Sequence, residues 1–115
     1  MCETGRSMTP VELKLVETEA EMEAALAVRM RVFVAEQSVP AEEELDDEDA
    51  TATHVIARHN ELVVGTGRLL IRAEGTCQIG RMAVDQPWRR QGVGGQLLLY
   101  LEQEAHSQGM SQVML

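Results

Sequence analysis

The chain has 115 residues, the size of a single domain. Apolar residues make up 44% and aromatics only 3% (Phe33, Trp88 and Tyr100), which excludes a disordered chain and requires an aliphatic, Met-rich core. Nineteen acidic against ten basic residues give a net charge of −9, and no basic patch is interleaved with aromatics, so nucleic acid is not an expected partner.

Along the chain, residues 1–9 are polar and are expected to form a flexible N-terminus, with the folded domain spanning 10–115. Val11, Leu13 and Leu15 alternate with polar residues, which predicts a strand. Thr18 and Glu21 have the spacing of a capping box. Met22, Leu26, Met30 and Phe33 follow at helical spacing, so a helix is expected from about Thr18 to about Val34. Pro40 breaks this pattern, and 38–52 reads as a loop or irregular helix. Three strands are expected next, at His54–Arg58, Leu62–Arg72 and Thr76–Val84. Gly65 and Gly67 suggest a bulge or a close neighbour in the second. A helix over 92–108 carries Val93, Leu97, Leu98 and Leu101 on one face and ends at Gly109. Ser111–Leu115 opens a further apolar strand. The order β-α-loop-β-β-β-α-β predicts an α/β, α+β-layered domain.

No stretch reaches the roughly 20 apolar residues of a membrane span, and MCETGRSMTP has no apolar core of a signal peptide. The expected compartment is the cytoplasm, with no membrane contact. Cys2 and Cys77 make no disulfide framework, and no Cys or His spacing suits zinc, so no metal is expected. Cys77 reads as a small buried hydrophobe. The methionines at 22, 30, 82, 110 and 114 read as core filler.

Seven of the eight residues at 42–49 are acidic. Such a run either draws a cationic amine by long-range attraction or forms a solvated, mobile loop, the reading favoured on composition.

The most informative segment is Arg89-Arg90-Gln91-Gly92-Val93-Gly94-Gly95, between a strand end and a helix start. A first helical turn offers N–H groups without internal partners and a positive dipole end. Glycines let a phosphate approach the backbone, and two arginines add charge. There is no Gly-Lys-Ser/Thr of a Walker A loop, and a dinucleotide fingerprint would need one more glycine.

Arg89, Gly92 and Gly94 hold the fixed positions of R/Q-x-x-G-x-G/A, so the stretch resembles the signature of the GNAT N-acyltransferase superfamily. It follows the strand Ile79-Gly80-Arg81-Met82-Ala83-Val84 at the family's distance. A second stretch, Arg29-x-x-Val32-Phe33-Val34-x-Glu36-Gln37 ahead of an acidic loop, resembles the ElaA-like branch. The resemblance covers about residues 11–115. It implies a mixed, mostly antiparallel sheet flanked by helices and an N-acetyltransferase that moves an acetyl or other acyl group from acetyl-CoA to a primary amine by direct attack.

The resemblance implies that the amides of Arg90 to Gly95 (Arg90, Gln91, Gly92, Val93, Gly94 and Gly95), beside Arg89, hold the pyrophosphate. It implies that Met82, Ala83 and Val84 pair with the pantetheine like an added strand. The acceptor is expected to be a small-molecule or peptide amine. Gln78 aligns with a frequent family glutamate and cannot take a proton. Glu36 is the better acceptor-side catalytic candidate, with pairing to Arg29 or Arg31 as its alternative reading. His54 has a suitable ordinary pKa for a base but also reads as a strand-start polar residue. Tyr100 sits at the wrong place to serve as the family's thiolate-protonating tyrosine. The family pattern continues with a helix and two strands beyond the sequence, which leads to two expectations. One is the alternative function of a catalytically inactive shortened domain that binds CoA or a partner protein. The other is a homodimer through the strand 111–115, whose edge would be unpaired.

Overall fold

The computed structural model describes residues 10–115; the N-terminal stretch 1–9, expected to be flexible, and Cys2 within it lie outside the described residues. Strand β1, Glu12–Leu15, leads into helix α1, Glu19–Arg29. The capping box forms as expected: Thr18 Oγ1 accepts from the Glu21 N–H at 3.1 Å, and Glu21 accepts from the Thr18 N–H at 3.2 Å. Lys14 also donates to Glu21 at 2.6 Å, which holds that carboxyl down at about 2.

The helix departs from the expected single run to Val34. Its α-helical part stops at Arg29, and Met30–Glu36 winds as a π-helical segment. Wide turns of this kind concentrate at functional sites. The change falls where Arg29 is drawn fully into the protein by two carboxylates.

Two short helical turns follow, α2 at Ala41–Glu44 and a 3₁₀ turn at Asp47–Ala50. Strands β2 (Thr53–His59), β3 (Leu62–Ala73) and β4 (Thr76–Val84) form an antiparallel meander. Its turns place Asn60 at φ 56° and Gly75 at φ 76°. After helix α3, Val93–Ser107, the short strand β5, Gln112–Met114, lies parallel to β4. The sheet order is β1-β2-β3-β4-β5, mixed and mostly antiparallel.

α3 lays Val93, Leu97, Leu101 and Ala105 on one sheet face, over Val55, Ala57, Leu69, Cys77 and Ile79. Val28 and Val32 cover the other face with Ala83. Gly65 and Gly67 mark close neighbours, α3 for both and, for Gly67, also Met82 of β4, whose Sδ a Cβ would meet at 2.7 Å. A Cβ on Gly67 would meet Leu101 Cδ1 at 2.8 Å, and one on Gly65 would meet Leu97 Cδ1 at 3.0 Å. α3 ends in a Schellman turn, with the Met110 N–H on the Ala105 carbonyl and the Gly109 N–H on that of His106. Among the described residues no helix is long and apolar enough to cross a membrane.

Candidate active site

β4 and β5 pair only at Thr76–Gln112, Cys77–Val113 and Gln78–Met114. From Ile79 to Val84, β4 has no strand on that side among the described residues. Half of a strand's backbone groups point to each neighbour, so this edge presents donors and acceptors to open space. The space is a cleft of about 850 Å³ lined by Ile79 to Met82, by Gly94, Gly95 and Leu98 of α3, and by Phe33, Val39, Glu43 and Glu44.

A bulge shapes this edge. Arg68 faces Gly80 and Thr66 faces Ala83, so Arg81 and Met82 together oppose Gly67. The extra residue reverses the alternation of side chains. Cys77 and Ile79 point to the α3 face, but beyond the bulge Met82 and Val84 do so and Ala83 turns to the other face. Arg81 adopts φ 49°, left-handed backbone in a residue with a Cβ. Its Nη2 donates to Asp46 at 3.1 Å and to the Glu43 carbonyl at 3.3 Å. Its Nε lies 3.3 Å from a Glu44 oxygen without hydrogen-bonding geometry.

β4 runs into a 3₁₀ turn, Gln86–Trp88, and then into the glycine-rich start of α3. Arg90 at φ 65° and Gly92 at φ 83° redirect the chain, and Gly92 caps α3 without a side-chain bond. A hollow of about 330 Å³ is walled by Met82, Val84 and Trp88 on one side and by Arg89, Arg90, Gly92, Val93 and Gly94 on the other. A Cβ on Gly94 would come only to 3.9 Å from Val84, and one on Gly95 would meet nothing within 4 Å. The glycines thus leave open space in front of the first amides of α3. That cradle, with an open strand edge leading to it, fits a diphosphate joined to an extended amide-bearing arm.

Arg89 and Glu36, both singled out by motif, meet here. Arg89 Nη2 donates to Glu36 Oε1 at 2.7 Å, and Arg89 Nε donates to the Val84 carbonyl at 2.9 Å. The expected alternative partners of Glu36 are engaged elsewhere. Arg31 binds both oxygens of Asp85, and Arg29 binds Glu44 and Asp49.

The acidic run is not the mobile, solvated loop favoured by composition. Arg29, 1% exposed, donates to Glu44 and Asp49, each at 2.7 Å. Arg68 donates to Asp46 at 2.8 Å and Asp49 at 2.7 Å, and Arg72 binds Glu48. The Arg68 hydrogen bond holds the Asp46 carboxyl down at about 2. Burial pushes Asp49 up, but its two arginines prevail and its pKa falls. Four arginines thus clamp the run onto β3, β4 and α1. Glu43 makes no side-chain ion pair among the described residues and faces the cleft.

Gln78 lies on β4, where Arg72 donates to its side chain at 2.9 Å. His54 is buried away from the cleft lining, with Nε2 2.9 Å from the Asp49 carbonyl. Tyr100 packs against the α3-side core, and Cys77 is fully buried, its thiol pushed up by desolvation. Among the described residues no His, Cys, Asp or Glu cluster is arranged to hold a metal. Neither motif marks Arg81 or the apolar lining from Val39 and Leu98. Arg81 carries no local signal, because its partners are 35 to 38 residues away.

Residues 20–115 match the model of the Acetyltransferase (GNAT) family. An uncharacterized N-acetyltransferase of Bacillus subtilis, YjcF, is 36% identical over 101 residues, spanning 88% of this chain and 71% of the relative. The crystal structure of an acyl-CoA N-acyltransferase from Pseudomonas aeruginosa superposes with a TM-score of 0.80 at 30% identity, over 89% of this chain and 73% of that one. Escherichia coli ElaA shares the fold, with a TM-score of 0.80 at 24% identity over 90% and 76% of the two chains. With an open β4 edge leading to a glycine-rich helix start, and a family match over most of its length, the chain belongs to the GNAT acetyltransferase family.

Proposed function

We propose that the protein is an N-acetyltransferase that moves an acetyl group from acetyl-CoA to a primary amine. The observation that carries this reading is the unpaired β4 edge from Ile79 to Val84, which ends at the open amides of α3. The diphosphate lies against the amides of Arg90 to Gly95, with Arg90 free of any ion pair among the described residues to meet it. The pantetheine amides extend the sheet beside Met82, Ala83 and Val84. The thioester then reaches the bulge at Gly80 to Met82, beside the apolar side chains of Phe33, Val39 and Leu98.

The neutral amine nitrogen attacks the thioester carbonyl carbon. An outward backbone N–H of the bulge stabilises the oxyanion. Collapse breaks the C–S bond, and the CoA thiolate takes up a proton from solvent. The amine loses a proton to Glu36 or through water. Holding both reactants in one cleft supplies much of the rate. The same reading places the protein in the cytoplasm. We also propose that two copies associate through the outer edge of β5.

The test is a titration calorimetry experiment with acetyl-CoA, followed by an assay of thiol release with a panel of primary amines. Micromolar binding and amine-dependent thiol release are expected. Absence of binding by a folded sample overturns the reading. Binding without turnover on any amine supports a CoA-binding module instead.

A further inference from the structure

Two ion pairs of opposite polarity join the π-helical segment to the connection between β4 and α3. Arg31 donates from Nε and Nη2 to the two oxygens of Asp85, at 2.9 and 2.8 Å. In the other direction, Arg89 donates to Glu36 at 2.7 Å, and its Nε donates to the Val84 carbonyl at 2.9 Å. The second pair sits at the rim, with Arg89 38% and Glu36 34% exposed. Arg89 also walls the hollow in front of α3, shared with Arg90, Gly92 and Gly94. Arg89 therefore stands between two anion positions, one occupied by Glu36 and one open.

We propose that Arg89 exchanges partners: it leaves Glu36 and the Val84 carbonyl for the diphosphate of the bound acyl-CoA. This rests on the acyl-CoA reading above. An exposed pair between two flexible side chains contributes little. A diphosphate carries more charge and accepts from a guanidinium with two oxygens at once. The balance therefore favours the exchange when the ligand arrives. No covalent bond changes.

The exchange frees two groups together. The Val84 carbonyl becomes an acceptor on the open strand edge, where the pantetheine pairs. The Glu36 carboxylate loses its cation and becomes available to accept a proton from the amine. Arg31 and Asp85 keep the π-helical segment docked while Arg89 moves. In the empty protein Glu36 is thus an internal competitor for Arg89, and the loss of that competition couples donor binding to the acceptor side. Glu36 acts on CoA affinity through Arg89 and not by touching CoA.

The test is calorimetric titration of CoA into the full chain and into Glu36→Gln. Removing the competitor should tighten CoA roughly two- to fivefold, the range an exposed pair can contribute. Glu36→Ala should move affinity in the same direction. Pantetheine, which lacks the diphosphate, should show no gain when measured by competition. In an Arg89→Gln background the Glu36→Gln change should have no effect on CoA. Unchanged or weaker CoA binding by Glu36→Gln overturns the exchange. Equal tightening in the Arg89→Gln background also overturns it, since the carboxylate would then merely repel the diphosphate. If the parent itself binds no CoA, the acyl-CoA reading fails and the exchange falls with it.

Discussion

Arg81 Nη2 donates to Asp46 at 3.1 Å, and this contact ties the acidic segment to the bulge that opens the cleft. Arg81 carries left-handed backbone at φ 49°, a conformation that persists only where its surroundings hold it. Asp46, the Glu43 carbonyl and the nearby Glu44 carboxylate supply that hold. The acidic run therefore acts first as a clasp on the sheet, and Glu43, which makes no side-chain ion pair among the described residues, adds negative charge to the cleft lining.

The clasp predicts an acid-sensitive fold. Asp46 has its pKa lowered from the ordinary 3.8 to about 2, chiefly by the Arg68 hydrogen bond. Between those values the unfolded chain binds more protons than the folded one. The stability Asp46 contributes is therefore complete above about pH 4 and is lost as pH falls toward about 2. Asp49, also lowered, adds in the same direction. Urea unfolding from pH 5 to 2 should show stability falling with pH, with a shallower slope for Asp46→Asn. The same slope in both proteins would remove Asp46 from the clasp.

The buried end of the clasp should respond differently. Arg29 and Glu44 are 1% and 3% exposed, so losing Arg29 leaves Glu44 away from water with only the poorly aligned Arg81 beside it. Arg29→Met should cost about 3–5 kcal/mol. Adding Glu44→Leu should restore part of that, because an apolar pair of similar volume needs no partner. Denaturant midpoints decide this, and a loss below about 1 kcal/mol in the single variant would mean that Glu44 is satisfied by Arg81 alone.

The two signature glycines have separate jobs. Gly92 at φ 83° caps α3, where a valine is strained by about 1–2 kcal/mol. Gly94 is inside the helix, and a Cβ there meets Val84 only at 3.9 Å. Gly94→Val should keep the melting temperature near the parent value and weaken CoA at least tenfold by filling the cradle. Gly92→Val should lower the melting temperature as well. The motif alone predicts obstruction of the ligand by either change with the fold intact; the backbone angle at Gly92 is what separates them. Parent-like CoA affinity in Gly94→Val would mean that the diphosphate lies elsewhere.

Local signals were readable and distant ones were not. The Thr18–Glu21 box, the Gly109 helix end and the meander strands all depend on residues a few positions apart. Gly65 and Gly67 signalled a close neighbour. The bulge at Arg81, which reverses the alternation of β4, has no glycine or proline at the strained position to announce it. The acidic run looked solvated because its arginines at 29, 68, 72 and 81 are spread over three elements. The resemblance implied Arg89 beside the diphosphate and Glu36 on the acceptor side, but their direct contact spans 53 residues and has no sequence cue.

The outer edge of β5 yields the last prediction. Gln112–Met114 pairs with β4 on one side and with no strand on the other among the described residues. Val113 and Met114 are 40% and 44% exposed, although one points to each face of the sheet. Free backbone groups beside apolar side chains recruit another strand, and neither a charge nor a proline blunts this one. Pairing two β5 edges would continue the sheet across two copies and cover both apolar side chains. Light scattering at high micromolar concentration should give about twice the 12.7 kDa of one chain. Val113→Lys should return the mass to that of one chain by placing like charges opposite each other at the junction. A parent protein that scatters as a monomer overturns the dimer. So does a dimer that persists unchanged in Val113→Lys, because its contact must then lie on another surface.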